Sequence, residues 1–169
     1  MADFDTAIAI VLKNEGLDGS VQPDPSLADP EAVARFGINS GANKMPAGFF
    51  EGSMPNDQAL ALAKQVYRNN YWYVVQGDRI ADQVLANHLM DMAVNSGTGA
   101  AVMILQCVLF DGGADLVLDG GMGPATLAAA NAAGAALARD YRKARAGYYA
   151  SLKRQAWIKI WLRRLAACG

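Results

Sequence analysis

A chain of 169 residues, 53% hydrophobic, is long enough for one packed domain, or one domain with a small appended lobe, and too apolar to stay disordered. Its formal net charge is −1, with one His and two Cys in no CxxC pair. Zinc and thiol-redox chemistry are therefore excluded as expectations, and no nucleic-acid partner is implied. The charge is unevenly placed. Residues 1–138 carry 6 Lys and Arg against 15 Asp and Glu, a net of −9, and residues 139–169 carry 9 against the single acid Asp140, a net of +8. Such a split points to an anionic partner for the tail.

Alanine is abundant and β-branched residues are sparse, which favours helix. Phe4, Ile8, Val11 and Leu12 recur at helical spacing and predict an amphipathic helix that stops at Gly16, its left-handed C-cap. Glu15 continues the apolar stripe, four residues after Val11. The last turn is thus expected to aim a carboxylate at apolar surface. Partial burial and the negative end of the helix dipole both raise the pKa of such a group. A carboxylic acid still protonated near neutral pH is what protonation of a glycosidic leaving group needs. The alternative is an ordinary solvated Glu in a fraying turn. The run Ala7 to Leu12 is too short for a signal-peptide core, and no stretch is long enough to span a bilayer.

The loop LDGSVQPDPSLADP follows, rich in turn formers and holding Asp18, Asp24 and Asp29. At most a short hairpin fits between Val21 and Ile38. Asn56 is the expected N-cap of a helix whose inner face is Ala59, Leu62, Ala63, Val66 and Tyr67. That helix runs into Tyr71-Trp72-Tyr73, aromatics that either close the core or form a sugar-stacking platform. Ile80 to Ser96 reads as a helix with two stripes, apolar Leu85, Leu89 and Met92, and polar His88, Asp91 and Asn95. The polar stripe is a solvated face, a cleft lining, or a pin for neighbouring loops. A further helix carries Val102, Leu105, Gln106 and Leu109, with Cys107 expected to be buried. Gly123-Pro124 marks a turn that opens another helix. There Asp119 and Thr126 are expected to satisfy loop and helix-start backbone groups. Leu137, Tyr141, Ala144, Tyr148 and Leu152 predict an amphipathic helix, and WIKIWLRRL (157–165) a cationic one. Cys168 is expected to be exposed.

Taken together these stretches resemble the glycoside hydrolase family 108 muramidases, which include phage endolysins and secretion activator proteins. NEGL (14–17) stands where the family has its catalytic acid followed by two glycines. DPEAVARFGI (29–38) is similar to the family's Asp-Pro-Gly-Gly-x-Thr-x-Tyr-Gly-Ile pattern. YW (71–72), MDMAVNSG (90–97) and LQ (105–106) follow in order. DGGMGPATL (119–127) looks like the Asp-Gly-x-x-Gly-x-x-Thr turn of peptidoglycan-binding modules, and residues 148–165 resemble the family's closing helix. Leu17 replaces the second glycine, Glu31-Ala32 replace Gly-Gly, and Ala34 stands where the family has a threonine.

The resemblance implies a mainly α, lysozyme-like fold with at most a short β-hairpin near residues 21–38. It implies a catalytic lobe over 1–90 and a helical peptidoglycan-binding-like lobe over 91–169 within one unit. It implies an N-acetylmuramidase of peptidoglycan, with Glu15 as general acid and Asp29 or Asp24 as second carboxylate. Ala34 in place of a water-positioning threonine keeps a lytic transglycosylase as the alternative. A non-catalytic peptidoglycan-binding protein and a membrane-active protein are rivals of a different class. Tyr71, Trp72, Asp91 and Asn95 are the candidate substrate-binding residues. Trp157, Lys159, Trp161, Arg163 and Arg164 are candidates for contact with an anionic membrane or lipopolysaccharide, since Trp favours interfaces and basic residues favour anionic lipid. No metal or organic cofactor is implied, and a monomer is expected. Action in the periplasm would follow release through a holin-type route.

Overall fold

The computed structural model describes residues 1–15, 18–24, 28–152 and 155–169, with Glu15, Gln155 and Ala156 described by their backbone alone. Helix α1 spans Phe4–Glu15. Asp3 starts it by accepting the Thr6 backbone N–H at 2.8 Å, as an N-cap carboxylate does. Phe4, Ala7, Ile8 and Val11 are buried and Leu12 packs against them, so the expected apolar stripe forms. Gly16, the expected C-cap, and the side chain of Glu15 lie outside the described residues.

Three short strands follow: β1 (Val21–Pro23), β2 (Val33–Arg35) and β3 (Ile38–Asn39). They form an antiparallel sheet in the order β1-β2-β3, one strand more than the hairpin the sequence suggests. Phe36 and Gly37 connect β2 to β3 with φ of 50° and 72°, the positive-φ pair that a two-residue hairpin turn requires. A phenylalanine holds this conformation because tertiary contacts anchor it. Its ring is buried and its carbonyl accepts the Tyr67 hydroxyl at 3.0 Å.

Arg35, on β2, is 3% exposed. Its guanidinium donates to the carbonyls of Gly19, Phe49 and Met54 and to Asn56 Oδ1, at 2.6–3.1 Å. One buried cation thereby ties the loops around the sheet to helix α2 (Asn56–Tyr67). This also corrects the expected role of Asn56. Pro55 occupies the N-cap position with no side-chain cap bond, and the Asn56 oxygen serves Arg35 instead. Helix α2 buries Ala59, Ala63 and Tyr67, with Leu62 and Val66 half-buried. A π-helical turn over Arg68–Trp72 extends it.

Helix α3 (Gln83–Ser96) begins after Asp82, whose side chain accepts the Leu85 N–H at 2.7 Å, and not at Ile80. Helices α1, α4 (Thr98–Asp111) and α6 (Ala136–Ser151) all pack on α3. The expected division between residues 90 and 91 thus falls inside the helix that both halves share. The chain turns the next corner at Gly97, φ 91°. On α4, Gln106 is fully buried. Its amide nitrogen donates to Asp119 Oδ1, the Gly121 carbonyl and Thr126 Oγ1 at 2.8–3.2 Å, and its oxygen accepts the Gly120 N–H at 2.8 Å. Gln106 therefore organises the DGGMGPAT turn, and its bond to Asp119, with that of the Gly121 N–H to the same oxygen, holds the Asp119 carboxyl below its usual pKa. Thr126 answers Gln106 and does not cap α5 (Pro124–Ala132), where Gly123 is the N-cap and Pro124 sits in the first turn.

The buried row of α6 is Leu137, Tyr141, Arg145 and Tyr149. The expected stripe drifts off this row. Ala144 and Tyr148 are half-buried and Leu152 is exposed. Helix α7 (Gln155–Ala167) packs on α6 through Trp161 and Leu165, followed by Cys168. The two cysteines reverse expectation. Cys107 lies on the outward side of an otherwise apolar helix and is exposed, whereas Cys168 is buried. Burial pushes the Cys168 thiol up to about 12. Among the described residues no helix is long and apolar enough to cross a membrane.

Candidate active site

The polar stripe of α3 divides into two environments one helical turn apart. Asp91 is fully buried. Its Oδ2 accepts Arg145 Nη2 at 2.7 Å, and its Oδ1 accepts Arg164 Nη2 at 2.9 Å. Oδ1 also accepts Asn14 Nδ2 at 3.1 Å. Asn14 is the residue before Glu15, so this bond fixes the last turn of α1 against the middle of α3. Arg145 Nη2 also donates to the Tyr149 hydroxyl at 3.0 Å. Two guanidiniums share one carboxylate here, and a buried charge set of this kind persists only when its members pair and hydrogen-bond well.

His88, one turn before Asp91, completes the cluster. Arg145 Nη1 lies 3.0 Å from His88 Nδ1. Arginine only donates, so Nδ1 accepts and the imidazole proton sits on Nε2. Burial first, then the positive charges of Arg145 and Arg142, lower the His88 pKa to about 3. The ring is neutral throughout the physiological range.

One turn further, Asn95 leaves the dry interior. It lines a cleft of about 470 Å3 together with Asn39 at the end of β3, Asn43 just after it, Tyr67, Asn70 and Tyr71 from α2 and its π-turn, and Val94. Among the described residues, none that lines the cleft is charged. Its shape is set locally. Asn39 Oδ1 accepts the Ala42 N–H at 2.8 Å and the Asn39 carbonyl accepts Asn43 Nδ2 at 3.2 Å, which rounds the chain after β3. The π-turn places both Asn70 and Tyr71 on the cleft side, and Tyr71 leans on Tyr67 with ring centroids 5.9 Å apart. Such a surface of amides and two tyrosines suits a neutral, polyhydroxylated ligand bearing amide groups.

Of the substrate-binding candidates, Tyr71 and Asn95 come together in this cleft, and Trp72 and Asp91 do not. Trp72 is 0% exposed. Its indole N–H donates to Asp78 Oδ1 at 2.6 Å and its ring meets Phe4 edge-on at 5.7 Å. Gly77 lies against the ring face where any Cβ would collide with it. Trp72 is a core residue because the π-turn sends consecutive aromatics to opposite sides. Asp91 is a core residue because two arginines require it. Asn39, Asn43 and Asn70 are cleft residues that sequence reasoning missed, since scattered asparagines in a turn-rich stretch carry no periodic signal.

Of the catalytic candidates, Glu15 is the last residue of α1, and its side chain lies outside the described residues. Asp24 is half-buried just after β1, where its N–H donates to the Ala32 carbonyl at 2.8 Å. Asp29 is exposed, and its Oδ1 accepts the Glu31 N–H at 2.9 Å, a local turn bond. In the tail, Trp157, Lys159 and Arg163 are exposed, but Trp161 and Arg164 are not. Trp161 stacks on Tyr149 at 4.9 Å with 15° between the planes, and Arg164 serves Asp91. On α7, Trp161 and Leu165 are committed to the core while Trp157, Ile160 and Leu162 are exposed, and two of the tail's cations, Arg145 and Arg164, are committed to a buried carboxylate. Trp161 and Arg164 are thereby corrected from envelope contacts to packing residues. Among the described residues no group of three or more His, Cys, Asp or Glu is placed to hold a metal.

Comparison with known proteins adds the following. A family model described as Glycosyl hydrolase 108 matches residues 8–97, and one described as Predicted Peptidoglycan domain matches residues 100–166. The two matches meet at the corner between α3 and α4. No curated protein matches the chain. Among solved structures, that of Brucella abortus SagA is 25% identical and superposes with a TM-score of 0.71, covering 98% of this chain and 90% of that one.

Proposed function

This chain belongs to the glycosyl hydrolase 108 family, and on that footing we propose that it is a muramidase of peptidoglycan, cleaving the β-1,4 bond between N-acetylmuramic acid and N-acetylglucosamine. The observation that carries this is the amide-lined cleft, which begins one helical turn from the residue that anchors the end of α1. Asn39, Asn43, Asn70 and Asn95 offer donors and acceptors for acetamido and hydroxyl groups. The Asn14–Asp91 bond holds the turn that ends in Glu15 one helical turn from Asn95. Glu15 acts as general acid and gives its proton to the glycosidic oxygen as the bond to C1 breaks. The predicted peptidoglycan domain over 100–166 supports the same polymer as substrate.

Asp24 or Asp29 serves as the second carboxylate. What then adds to C1 is the finer question. Ala34 presents a methyl group where the family has a threonine, and its cross-strand partner is the cleft residue Asn39. Directly opposed residues share a face of the sheet, so the Asn39 amide supplies the polarity that Ala34 lacks. This favours water as the nucleophile over internal closure to an anhydro sugar.

Mass spectrometry of digested peptidoglycan tests both levels. Reducing muramic acid ends are expected, and anhydro ends would replace the muramidase by a transglycosylase. Glu15→Gln is expected to lower the rate by about 10²–10⁴-fold without lowering Tm. A variant that keeps most of the wild-type rate removes Glu15 from the mechanism. A wild-type protein that binds peptidoglycan without turnover is a binding module.

A further inference from the structure

A second groove opens on the other side of Asn95. It measures about 370 Å3 and is lined by Asn95, Ser96, Tyr148, Leu152, Trp157 and Trp161. Asn95 thus lines both this groove and the amide cleft. Its aromatic wall is held in place from behind. Trp161 stacks on Tyr149, the Tyr149 hydroxyl accepts Asn95 Nδ2 at 3.1 Å and Arg145 Nη2 at 3.0 Å, and Tyr148 meets Tyr149 edge-on at 5.8 Å. Trp157 is different. It is 52% exposed, and the core has no need of it, because Trp161 and Leu165 already fill the buried side of α7.

We propose that this groove binds a further saccharide ring of the glycan strand as it leaves the amide cleft, with Trp157 and Tyr148 as the stacking faces. The proposal rests on the glycan-cleaving reading above and names a subsite for it in the C-terminal half. Three observations select a sugar as occupant. The groove begins at the residue on which the cleft ends, so a linear strand meets it next. The described residues of its lining carry no formal charge, which suits a neutral sugar. It also combines aromatic faces with the Asn95 amide and Ser96 hydroxyl. A pyranose has the matching character: C–H faces that lie on aromatic rings, and hydroxyl and acetamido edges that hydrogen-bond.

Calorimetric binding in a Glu15→Gln background tests this, with β-1,4-linked N-acetylglucosamine tetrasaccharide and octasaccharide as probes. Trp157→Ala is expected to weaken octasaccharide binding by about fivefold, and the tetrasaccharide markedly less. Phe110→Ala, at an exposed position on α4 outside both grooves, serves as the control and should change neither. Equal affinities for the Trp157→Ala and parent proteins at both lengths would overturn the subsite, and so would an equal loss at both lengths. Turnover of peptidoglycan by the protein with Glu15 intact reports separately on the parent reading. Turnover without length-dependent loss at Trp157 overturns the groove alone. Trp157-dependent octasaccharide binding without turnover supports the groove and overturns the hydrolase. Absence of both overturns both.

Discussion

Asp91 and Asn95 are four residues apart on one face of α3, yet they belong to opposite kinds of structure. Around Asp91 water is excluded, two arginines share one carboxylate, and a histidine is forced to stay neutral. Around Asn95 the described lining is largely amide and phenol, with no charged group among the described residues. The difference follows from what each region must do. A buried ion cluster holds helix ends in one arrangement, because any displacement leaves a charge unpaired in a low-dielectric interior. A cleft for a neutral polymer must release water and ligand reversibly, and amides are less costly to desolvate than ions. Rigidity built from charge therefore stands directly behind recognition built from neutral dipoles, and Asn14 and Tyr149 carry the first into the second.

The sharpest way to break this contrast is to remove the charge at its centre. Asp91→Ala leaves Arg145 and Arg164 buried without their anion and is expected to cost about 3–5 kcal/mol. For a chain of this size that lowers Tm by roughly 10 °C. It also frees Asn14, so turnover measured below the new Tm should fall, although Asp91 touches no substrate. A variant with an unchanged melting curve would show that the cluster does not hold α1, α6 and α7 together.

The two regions were not equally legible from the sequence. The helices and their order follow from apolar spacing and from Gly and Pro punctuation. Phe4, Ile8 and Val11 on α1 face the core as their spacing requires. The stripe His88-Asp91-Asn95 was visible as a stripe, but its destination was not, because its partners Arg145 and Arg164 lie more than fifty residues away in sequence. Arg145 occupies a core position in the row Leu137, Tyr141, Arg145, Tyr149. A reading that follows only apolar residues skips it and selects Tyr148 and Leu152. The tail's positive charge misled for the same reason, since net charge does not distinguish a buried guanidinium from a solvated one. The cleft amides were invisible because Asn39, Asn43, Asn70 and Asn95 are gathered by the turn after β3, a π-turn and a helix end, none of which leaves a period in the sequence.

Acid titration distinguishes the two regions by a smaller margin. In the unfolded chain His88 takes up a proton near its ordinary pKa of 6.5, but in the folded protein it does so only near 3. Between those values the unfolded state binds more protons, so stability falls as pH drops. The contribution is complete above pH 6.5, declines progressively below it, and levels off under pH 3. Its slope approaches about 1.4 kcal/mol per pH unit between these limits. Asp119, held below its ordinary value of 3.8, adds to the loss only at the acidic end. Thermal melts of His88→Gln should therefore lose much of the slope between pH 6.5 and 4.5. A slope identical to wild type would remove His88 as its source.

The smallest expected effect lies in the cleft and tests the contrast from the other side. Asn70 is exposed, sits on the π-turn, and lines the cleft away from the ion cluster. Asn70→Ala removes one donor–acceptor group from the binding surface and nothing from the interior. Surface changes of this kind alter stability by about 0.5 kcal/mol or less. The loss of one ligand hydrogen bond is about 0.5–1.5 kcal/mol, a few-fold rise in KM on a soluble glycan fragment. The turnover number should change little, because the lost contact holds substrate and transition state alike. Asn95→Ala is the informative companion. Its amide also donates to the Tyr149 hydroxyl, so the same truncation there should lower Tm as well as raise KM. If Asn70→Ala lowers Tm as much as Asn95→Ala does, the cleft wall is part of the rigid scaffold, and the division of labour along α3 is wrong.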